Sequence, residues 1–334
     1  MSVRFVKSSV TAYGIAPSDE NRALRLVELC GRTAYKSEDK ITGDSARKFV
    51  LMLKSHGHLS VLEHSNIVLR VENDSAGRAG AQASPLTYES MLEALRERLG
   101  FHRIHPLASG GFLISGNFRA WFDTLDHLKQ HDGMRKFFLE NLGRFFPAIF
   151  AGEGLDGQTG PPPCRVSLLG EQEQLELLKS SPSFDLPVFV FKFVCDRGIT
   201  HEVVRHRVFS FTQESTRYVN YGNRGLELIL PEELYGSYDD QTGETASEEL
   251  LAGEWRKRAE LIFHWYGEDL ARGLRPEIAR DILPNLLKSE LFVSGRWSGW
   301  RHFITLRDAA QAHPRIRTIA KEVRKYFEGL GLGC

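Results

Sequence analysis

The stretch RHRVFSFTQESTRY, from Arg205 to Tyr218, concentrates side chains that can bind phosphate groups. Its basic, hydroxyl and amide side chains include Arg205, His206, Arg207, Ser210, Thr212, Gln213, Ser215 and Arg217. A phosphate needs several converging donors, and each charge-assisted hydrogen bond contributes about 1.5–3 kcal/mol. Arginine can donate two parallel hydrogen bonds to one anion, which lysine cannot. The stretch therefore predicts a site for one or two nucleotide phosphates.

A purely structural role is the alternative for the three consecutive basic residues. The preceding sequence predicts a buried strand, a glycine turn and a helix that starts near Thr200 as its N-cap, with Arg205–Arg207 at its C-terminal end. Cations at that end interact favourably with the helix dipole, by about 0.3–1 kcal/mol. A protein that used them only in this way would lose stability, but no ligand binding, when Arg205 or Arg217 is replaced by alanine.

The composition places the positive charge of this stretch in a neutral chain. The 334 residues include 43 basic and 43 acidic side chains. General nucleic-acid and membrane-surface binders usually carry a basic excess, so neither nucleic acid nor membrane is an expected partner. The cysteines lack a CxxC pair and are expected to be reduced and mostly buried. They are Cys30, Cys164, Cys195 and Cys334. With no apolar N-terminal segment or membrane-length apolar run, we expect a cytoplasmic protein.

Hydrophobic periodicity predicts the elements that must position these residues. Strands are predicted at Val3–Val6, Ile67–Val71, Val188–Val194 and 226–230. Helices are predicted after Ser18 as N-cap, from about Asp44 to Gly57, over 86–99, from about Glu248 to Arg272, and from Pro314 to Gly329. A glycine- and proline-rich joint is predicted over 152–164. We expect an α+β (or α/β) fold with helices packed around a small central sheet.

The pattern RHR-x2-S-x4-S-x-R-Y resembles the signature of the flavin-dependent thymidylate synthases. HGHLSVLEH (His56–His64), and the block LRPEIARDILPNLLKSEL followed by WRHFITLRDAAQAHPRIR, resemble further segments of that family. The resemblance covers roughly residues 1–70 and 188–334. It implies a catalytic domain with an N-terminal part at 1–71 and a C-terminal part at 188–334, around an inserted or elaborated helical region at 72–187.

The resemblance implies reductive methylation of dUMP to dTMP, with FAD as cofactor and methylenetetrahydrofolate and NADPH as co-substrates. It also implies a homotetramer with shared active sites. The implied dUMP-binding residues are Glu202, Arg205, Gln213, Glu214, Ser215, Thr216, Arg217, Arg280 and Arg307. The implied FAD-binding residues are Ser60, Arg205, His206, Arg207, Gln213, Ser298 and His302.

Two arginines have distinct implied roles. Arg307 is the implied catalytic residue, because a fixed guanidinium at the pyrimidine O2/N3 edge stabilises negative charge that develops on the ring. Arg280 is implied to reach the nucleotide of a neighbouring subunit.

His58 is implied to lie near the flavin ring. The histidines of His56–His64 could also suggest a metal site, but no further ligand follows at a recognisable spacing, so no metal is expected.

The sequence departs from the family pattern at one cofactor segment. Where the family usually has Asn-x-Arg, this chain has Arg296, Trp297 and Ser298. LISGNFRAW (113–121) and LFVSGRWSGW (291–300) share Ser-Gly and a later tryptophan, and the first stretch contains Asn117 and Arg119. One hypothesis is an imperfect internal repeat in which Asn117 and Arg119 take over a cofactor contact. Chance similarity between two helix starts is the alternative.

Two further functions are compatible with the same residues. A related flavoenzyme could transfer a one-carbon unit to another pyrimidine nucleotide. A non-catalytic relative could use the arginine and serine residues to bind a nucleotide or RNA, although the zero net charge disfavours RNA.

Overall fold

The protein combines helices with several small sheets in a computed structural model. The structure describes residues 3–73, 93, 102–108, 110–130, 132–150, 164–231, 238–239, 244–245 and 250–333. The helix predicted over 86–99 and the joint predicted over 152–164 lie outside these residues, apart from 93 and 164. Cys334 lies outside them as well. The chain divides into two units. The first unit is Met1–Tyr13, Cys30–Asp39 and Val190–Cys334, and the second is Gly14–Leu29 and Lys40–Phe189.

The first unit contains the sheet that carries the predicted phosphate-binding stretch. Its strands are β2 (Ser9–Ile15), β7 (Val188–Asp196), β8 (Ser210–Gln213) and β12 (Lys288–Arg296), in the order β2-β7-β12-β8. β8 and β12 are antiparallel, with Leu291 opposite Gln213 and Ser294 opposite Ser210. A separate parallel pair joins β1 (Val3–Val6) to β9 (Leu226–Ile229).

Alternation along β7 and β12 gives this sheet one apolar and one charged face. Successive side chains of a strand point to opposite faces, so Phe191 and Phe193 share a side that excludes Lys192. The Phe191 ring lies 4.6 Å from Trp300 and 5.7 Å from Phe327, measured between ring centroids. The apolar face thus packs against α11 (Trp297–Arg307) and α12 (Pro314–Gly329).

The other helices of the first unit lie between strands of this sheet along the chain. They are α7 (Arg197–Val203), α8 (Tyr221–Arg224), α9 (Leu250–Ala271) and α10 (Pro276–Ala279). A short strand pair joins β10 (Tyr238–Asp239) to β11 (Glu244–Thr245).

The second unit contains an antiparallel sheet in the order β4-β5-β3-β6. Its strands are β3 (Ile67–Asn73), β4 (Arg103–Pro106), β5 (Phe112–Gly116) and β6 (Cys164–Leu168). Its helices include α2 (Ser45–Ser55), α3 (Phe118–His127), α4 (Asp132–Phe145), α5 (Pro147–Phe150) and α6 (Glu171–Ser180). The predicted region 72–187 therefore contributes strands as well as helices, and its origin as an insertion stays a prediction.

The mixed class of helices and strands is confirmed, but the single small central sheet is wrong. The described residues form two four-stranded sheets and two strand pairs. A list of strands predicted from periodicity does not say which of them pair, so it could not show that they form separate sheets. The predicted stripe of α12 is confirmed, because Ile316, Ile319, Ala320, Val323 and Phe327 are all buried.

Two predicted helix caps are wrong. The helix α1 (Glu20–Tyr35) has the Arg22 backbone N–H bonded to Asp19 Oδ1 at 2.9 Å, while Ser18 Oγ donates to the Leu169 carbonyl at 2.8 Å. The helix expected near Thr200 begins at Arg197, because Asp196 Oδ1 accepts from the Ile199 N–H at 2.8 Å. In both cases a carboxylate at the start of the helix satisfies the otherwise unpaired backbone donor.

Removing the ring at Phe327 tests whether the apolar face holds the first unit together. Phe327 is fully buried, so Phe327→Ala is expected to lower the free energy of unfolding by about 3–5 kcal/mol through lost burial and a cavity. Urea denaturation of the full chain measures this. Lys321→Ala, at an exposed position of the same helix, should stay within about 0.5 kcal/mol of the wild type. Equal losses in the two variants would contradict this packing.

Candidate functional site

The guanidinium of Arg307 is fixed by three hydrogen bonds at the end of α11. Nη1 donates to Glu202 Oε2 at 2.9 Å, Nη2 donates to the Glu202 carbonyl at 3.1 Å, and Nε donates to His206 Nε2 at 2.9 Å. The Arg307 side chain is 17% exposed, so one part of it is still accessible to a ligand. Because three hydrogen bonds hold the guanidinium, its plane has little freedom to rotate.

The acceptor role of His206 requires a neutral imidazole. Burial, together with the nearby Arg307 and His302, lowers the pKa of His206 from 6.5 to about 4. At neutral pH the ring is therefore uncharged, and the hydrogen bond from Arg307 assigns the proton to Nδ1. The structure places His206 against Arg307, and its predicted contact with FAD stays a prediction.

The turn that carries Arg205 and Arg207 is anchored by the aromatic ring of Phe209. Both arginines are exposed, whereas Phe209 is buried with its centroid 4.4 Å from that of Trp300. A Cβ atom at Gly295 would lie 2.1 Å from Phe209 Cδ1, and one at Gly299 would lie 2.9 Å from Cε1. The two glycines therefore allow the turn to approach β12 and α11 closely.

The predicted phosphate-binding residues leave the sheet at the end of β8. Gln213 Nε2 donates to Thr200 Oγ1 and to Ser289 Oγ, both at 3.0 Å. The loop continues as Glu214–Tyr218, which we call the phosphate loop. Within it the Arg217 guanidinium is exposed and lies 5.3 Å from the centroid of the Tyr218 ring.

Arg280 lies at this loop within the same chain. Its Nη1 donates to Thr216 Oγ1 at 2.9 Å, and its side chain is 33% exposed. Arg280 follows α10, about 60 residues after the loop in the sequence, so the fold brings together two predicted dUMP-binding segments. Its predicted contact with the nucleotide of a neighbouring subunit stays a prediction.

Glu214 has a different environment from its neighbours. The residue is 4% exposed, and its Oε1 accepts a hydrogen bond from the Tyr221 hydroxyl at 3.2 Å. Its Oε2 faces the ammonium groups of Lys36 at 3.6 Å and Lys288 at 4.0 Å. The carboxylate therefore points into the first unit, and its predicted contact with dUMP stays a prediction.

Four of the predicted FAD-binding residues of the first unit form an exposed polar set. Ser298 and His302 are exposed on α11, one turn apart, and His302 lies 6.1 Å from His206 between ring centroids. Together with Arg205 and Arg207, this set offers guanidinium, hydroxyl and imidazole donors. Such a donor set fits the pyrophosphate of a flavin dinucleotide. Ser60 and His58 belong to the second unit, where both are exposed.

Asn117 and Arg119 have defined contacts in the second unit. Asn117 follows β5 as N-cap of α3, where its Oδ1 accepts from the Ala120 N–H at 2.8 Å. Arg119 Nη1 donates to Glu63 Oε1 at 2.6 Å. Arg296 is the last residue of β12 and the N-cap of α11, so both similar stretches form a strand followed by a helix. The transfer of a cofactor contact to Asn117 and Arg119 stays a prediction.

The family model that matches this chain covers mostly the first unit. Residues 176–330 match the family model described as thymidylate synthase complementing protein. The predicted family resemblance is confirmed over this part of the chain. It contains the phosphate loop and the residues from Glu202 to Arg307 described above.

Curated relatives share this resemblance. The flavin-dependent thymidylate synthase of Pyrococcus abyssi is 32% identical over 128 residues, which is 38% of this chain and 48% of that protein. The enzyme of the same name from Corynebacterium glutamicum is 36% identical over 135 residues, 38% of this chain and 51% of that protein. That of Pyrococcus horikoshii is 32% identical over 151 residues, 42% of this chain and 58% of that protein. The chain thus spans about half the length of these relatives.

A buried charged cluster in the first unit was missed from the sequence. Glu290 accepts a hydrogen bond from Lys288 at 2.9 Å and also pairs with Lys36 and Lys192. A signal was present, because Lys192 interrupts the apolar run VFVFKFV and Glu290 lies inside the strand KSELFVSGR. As to membranes, none of the helices that the structure describes is long and apolar enough to span one.

The titration of His206 tests the hydrogen bond from Arg307. Wild-type His206 should titrate near pH 4 in histidine NMR spectra, and Arg307→Met should raise its pKa because the neighbouring cation is gone. In the unfolded chain the pKa of this imidazole is near 6.5, whereas in the folded protein it is about 4. The contribution of the neutral ring to the free energy of unfolding is therefore complete above pH 6.5 and is lost as the pH falls towards 4. A wild-type His206 that titrates near 6.5 would contradict the assignment.

The close approach at Gly295 gives a second prediction. Gly295→Ala places a methyl group against the Phe209 ring, so it should cost about 1–3 kcal/mol of stability and displace the turn Arg205–Arg207. Urea denaturation and the chemical shifts of the Phe209 ring measure the two effects. Gly329→Ala, in the same unit but with open space at its Cβ, is the matched control. An undisturbed Phe209 in Gly295→Ala would refute the anchoring role.

Proposed function

We propose that this protein is a flavin-dependent thymidylate synthase, which converts dUMP to dTMP with FAD, methylenetetrahydrofolate and NADPH. The observation that carries the proposal is the fixed guanidinium of Arg307 in the unit that also contains the phosphate loop with Arg280. The names of the curated relatives support the same reaction. In this proposal the protein is a cytoplasmic homotetramer in which Arg280 also acts across a subunit boundary.

The phosphate loop would hold the dUMP phosphate. Arg217 is an exposed residue of the loop, and Arg280 already donates to Thr216 Oγ1, so the loop combines two guanidinium groups with the Ser215 and Thr216 hydroxyls. A phosphate dianion gains most from charged donors, and arginine can donate two hydrogen bonds to it at once. These residues supply affinity and orientation for the nucleotide.

Arg307 would then act on the pyrimidine ring. A guanidinium has five N–H donors, and Glu202 and His206 use three of them. The remaining donors, one on each Nη atom, can reach the O2/N3 edge of the base. Negative charge held on the O2/N3 side makes C5 a better nucleophile towards the incoming carbon, and a guanidinium held in place stabilises that charge without reorganisation. Arg307 is therefore the proposed catalytic residue.

The exposed donor set would hold FAD, with Arg205, Arg207, Ser298 and His302 at its phosphates and Gln213 between flavin and nucleotide. When bound, FAD reduced by NADPH supplies the hydride that completes the methyl group. The FAD contact that the family resemblance implies for Ser60, in the second unit, stays a prediction. The protein residues bind and orient, and they leave the redox step to the cofactor.

The cysteines fit a reaction without a thiol nucleophile. In the first unit Cys30 and Cys195 are fully buried, and burial raises the pKa of both thiols. A buried thiol in apolar surroundings is seldom ionised, so it is a poor nucleophile. Cys164, in the second unit, is buried as well. Among the described residues, no cysteine is therefore suited to attack the pyrimidine.

Flavin absorption tests the pairing of cofactor and nucleotide. The purified protein, supplied with FAD, should show the visible bands of bound flavin, and dUMP should perturb them because the two ligands lie side by side. Deoxyadenosine monophosphate serves as the control nucleotide and should cause no such change. Absence of bound flavin at excess FAD would refute the proposed function.

Arg307 is the most informative position for turnover. Arg307→Lys keeps a positive charge but loses the fixed fork, so kcat for dTMP formation should fall by about 100- to 1000-fold, as for loss of one donor to a developing anion. Steady-state kinetics measure the change. Arg317→Lys, at a partly exposed arginine of α12, is the matched control. If Arg307→Lys turns over at the wild-type rate, Arg307 is not catalytic.

A further inference from the structure

Three consecutive residues at the end of α1 contact the phosphate loop in three different ways. The Ser215 backbone N–H donates to the Ala34 carbonyl at 2.9 Å. The rings of Tyr35 and Tyr218 lie 4.9 Å apart between centroids. Lys36 Nζ lies 3.6 Å from Glu214 Oε2. We call Ala34–Lys36 the clasp, because it holds three of the five loop residues.

The backbone of the clasp turns sharply at Lys36. With φ at 50°, Lys36 is the only non-glycine residue in the described part of the chain with a positive φ. This left-handed conformation is unfavourable for a side chain with a Cβ atom. It is stabilised by Arg224, whose Nη2 donates to the Lys36 carbonyl at 2.6 Å. The turn sends the Lys36 side chain into the first unit, where it is 12% exposed.

The ammonium of Lys36 enters the charged cluster around Glu290. Lys36, Lys192 and Lys288 all pair with the Glu290 carboxylate. Although burial opposes ionisation of Glu290, these lysines hold its pKa well below the usual range. Because Glu290 also accepts the Glu214 backbone N–H through its carbonyl at 2.8 Å, β12, the clasp and the phosphate loop meet at this cluster.

The cluster has no surplus charge for a ligand of its own. It borders a cavity of about 430 Å³. The charged residues that line the cavity are Lys36, Lys192, Arg224, Lys288, Glu38, Glu214, Glu227 and Glu290. Cations and carboxylates are equal in number, and the lysines pair with the carboxylates. An anion here would have to displace existing ion pairs, so the cluster acts on the loop beside it.

We propose that Lys36 and Glu214 are positioning residues for the nucleotide phosphate. Through their ion pair and the other two contacts of the clasp, they set the backbone from Ser215 to Arg217, which presents the hydroxyls and the guanidinium to the phosphate. In this proposal neither side chain touches the nucleotide itself, so for Glu214 the positioning role replaces the direct dUMP contact that the family resemblance implied. This role rests on the proposed function, and it makes the clasp responsible for selecting a nucleotide over the corresponding nucleoside.

Calorimetric binding of dUMP and of deoxyuridine to the full chain, with FAD present, tests the role. Lys36→Met should weaken dUMP binding by about tenfold, a change typical of the interaction energy between residues of one network. It should change deoxyuridine binding by less than about twofold. Lys36→Arg should recover most of the dUMP affinity, because it restores the cation. Lys325→Met, on an exposed lysine of α12, is the matched control and should bind both ligands as the wild type does.

The outcomes separate this role from the proposed function. If the wild type binds neither dUMP nor deoxyuridine, the proposed function fails and the positioning role fails with it. The wild type could bind dUMP while Lys36→Met weakens the binding of dUMP and deoxyuridine equally, or leaves both affinities unchanged. In that case only the positioning role is overturned. Should Lys36→Met fail to fold, Tyr35→Leu removes the contact with the half-exposed ring of Tyr218 and must show the same selective loss of dUMP affinity.

Discussion

The antiparallel pairing of β8 with β12 is the constraint on which the site of the first unit depends. Before β8, the turn Arg205–Arg207 is fixed where Phe209 packs on Gly295 of β12. After β8, the Glu214 N–H is still bonded to the Glu290 carbonyl of β12 as the chain enters the phosphate loop. A ladder of four residue pairs thus sets the distance between the predicted flavin-binding and phosphate-binding groups. A slip of one residue would exchange the two faces of β8.

Charge in this neutral protein is divided into paired and exposed groups. Arg307 is bound by Glu202, and the lysines around Glu290 are bound by carboxylates, so these charges are fixed. Arg205, Arg207 and Arg217 are exposed and therefore accessible to anions. A fixed cation suits a role at the reacting ring, because it needs no reorganisation, whereas accessible cations suit the capture of phosphorylated ligands. The distribution of pairing within the first unit thus matches the proposed division between catalysis and binding.

Local patterns in the sequence predicted much of the secondary structure. Contacts between residues far apart in the sequence could not be predicted from such patterns. The apolar stripe of α12 and the buried run of β7 are visible because they repeat within a few residues. The caps at Ser18 and Thr200 were wrong because a serine or threonine is a good cap only where no nearby carboxylate takes the same donor. The contact between Arg280 and Thr216 lies within one chain, and it could not be predicted because the family resemblance implied only that Arg280 reaches the nucleotide of a neighbouring subunit. The clasp could not be predicted, because Lys36 and Glu214 are far apart in the sequence and belong to different elements.

Loss of the C5 hydrogen of dUMP is the measurement that tests the central claim most directly. Methylation at C5 replaces that hydrogen, so dUMP labelled with tritium at C5 must release tritium to water as dTMP forms. The account predicts release that requires FAD, NADPH and methylenetetrahydrofolate together and that Arg307→Lys slows by about the same factor as dTMP formation. If the wild type binds dUMP and flavin but releases no tritium with all three present, Arg307 and the phosphate loop serve binding alone, and the proposed reaction is wrong.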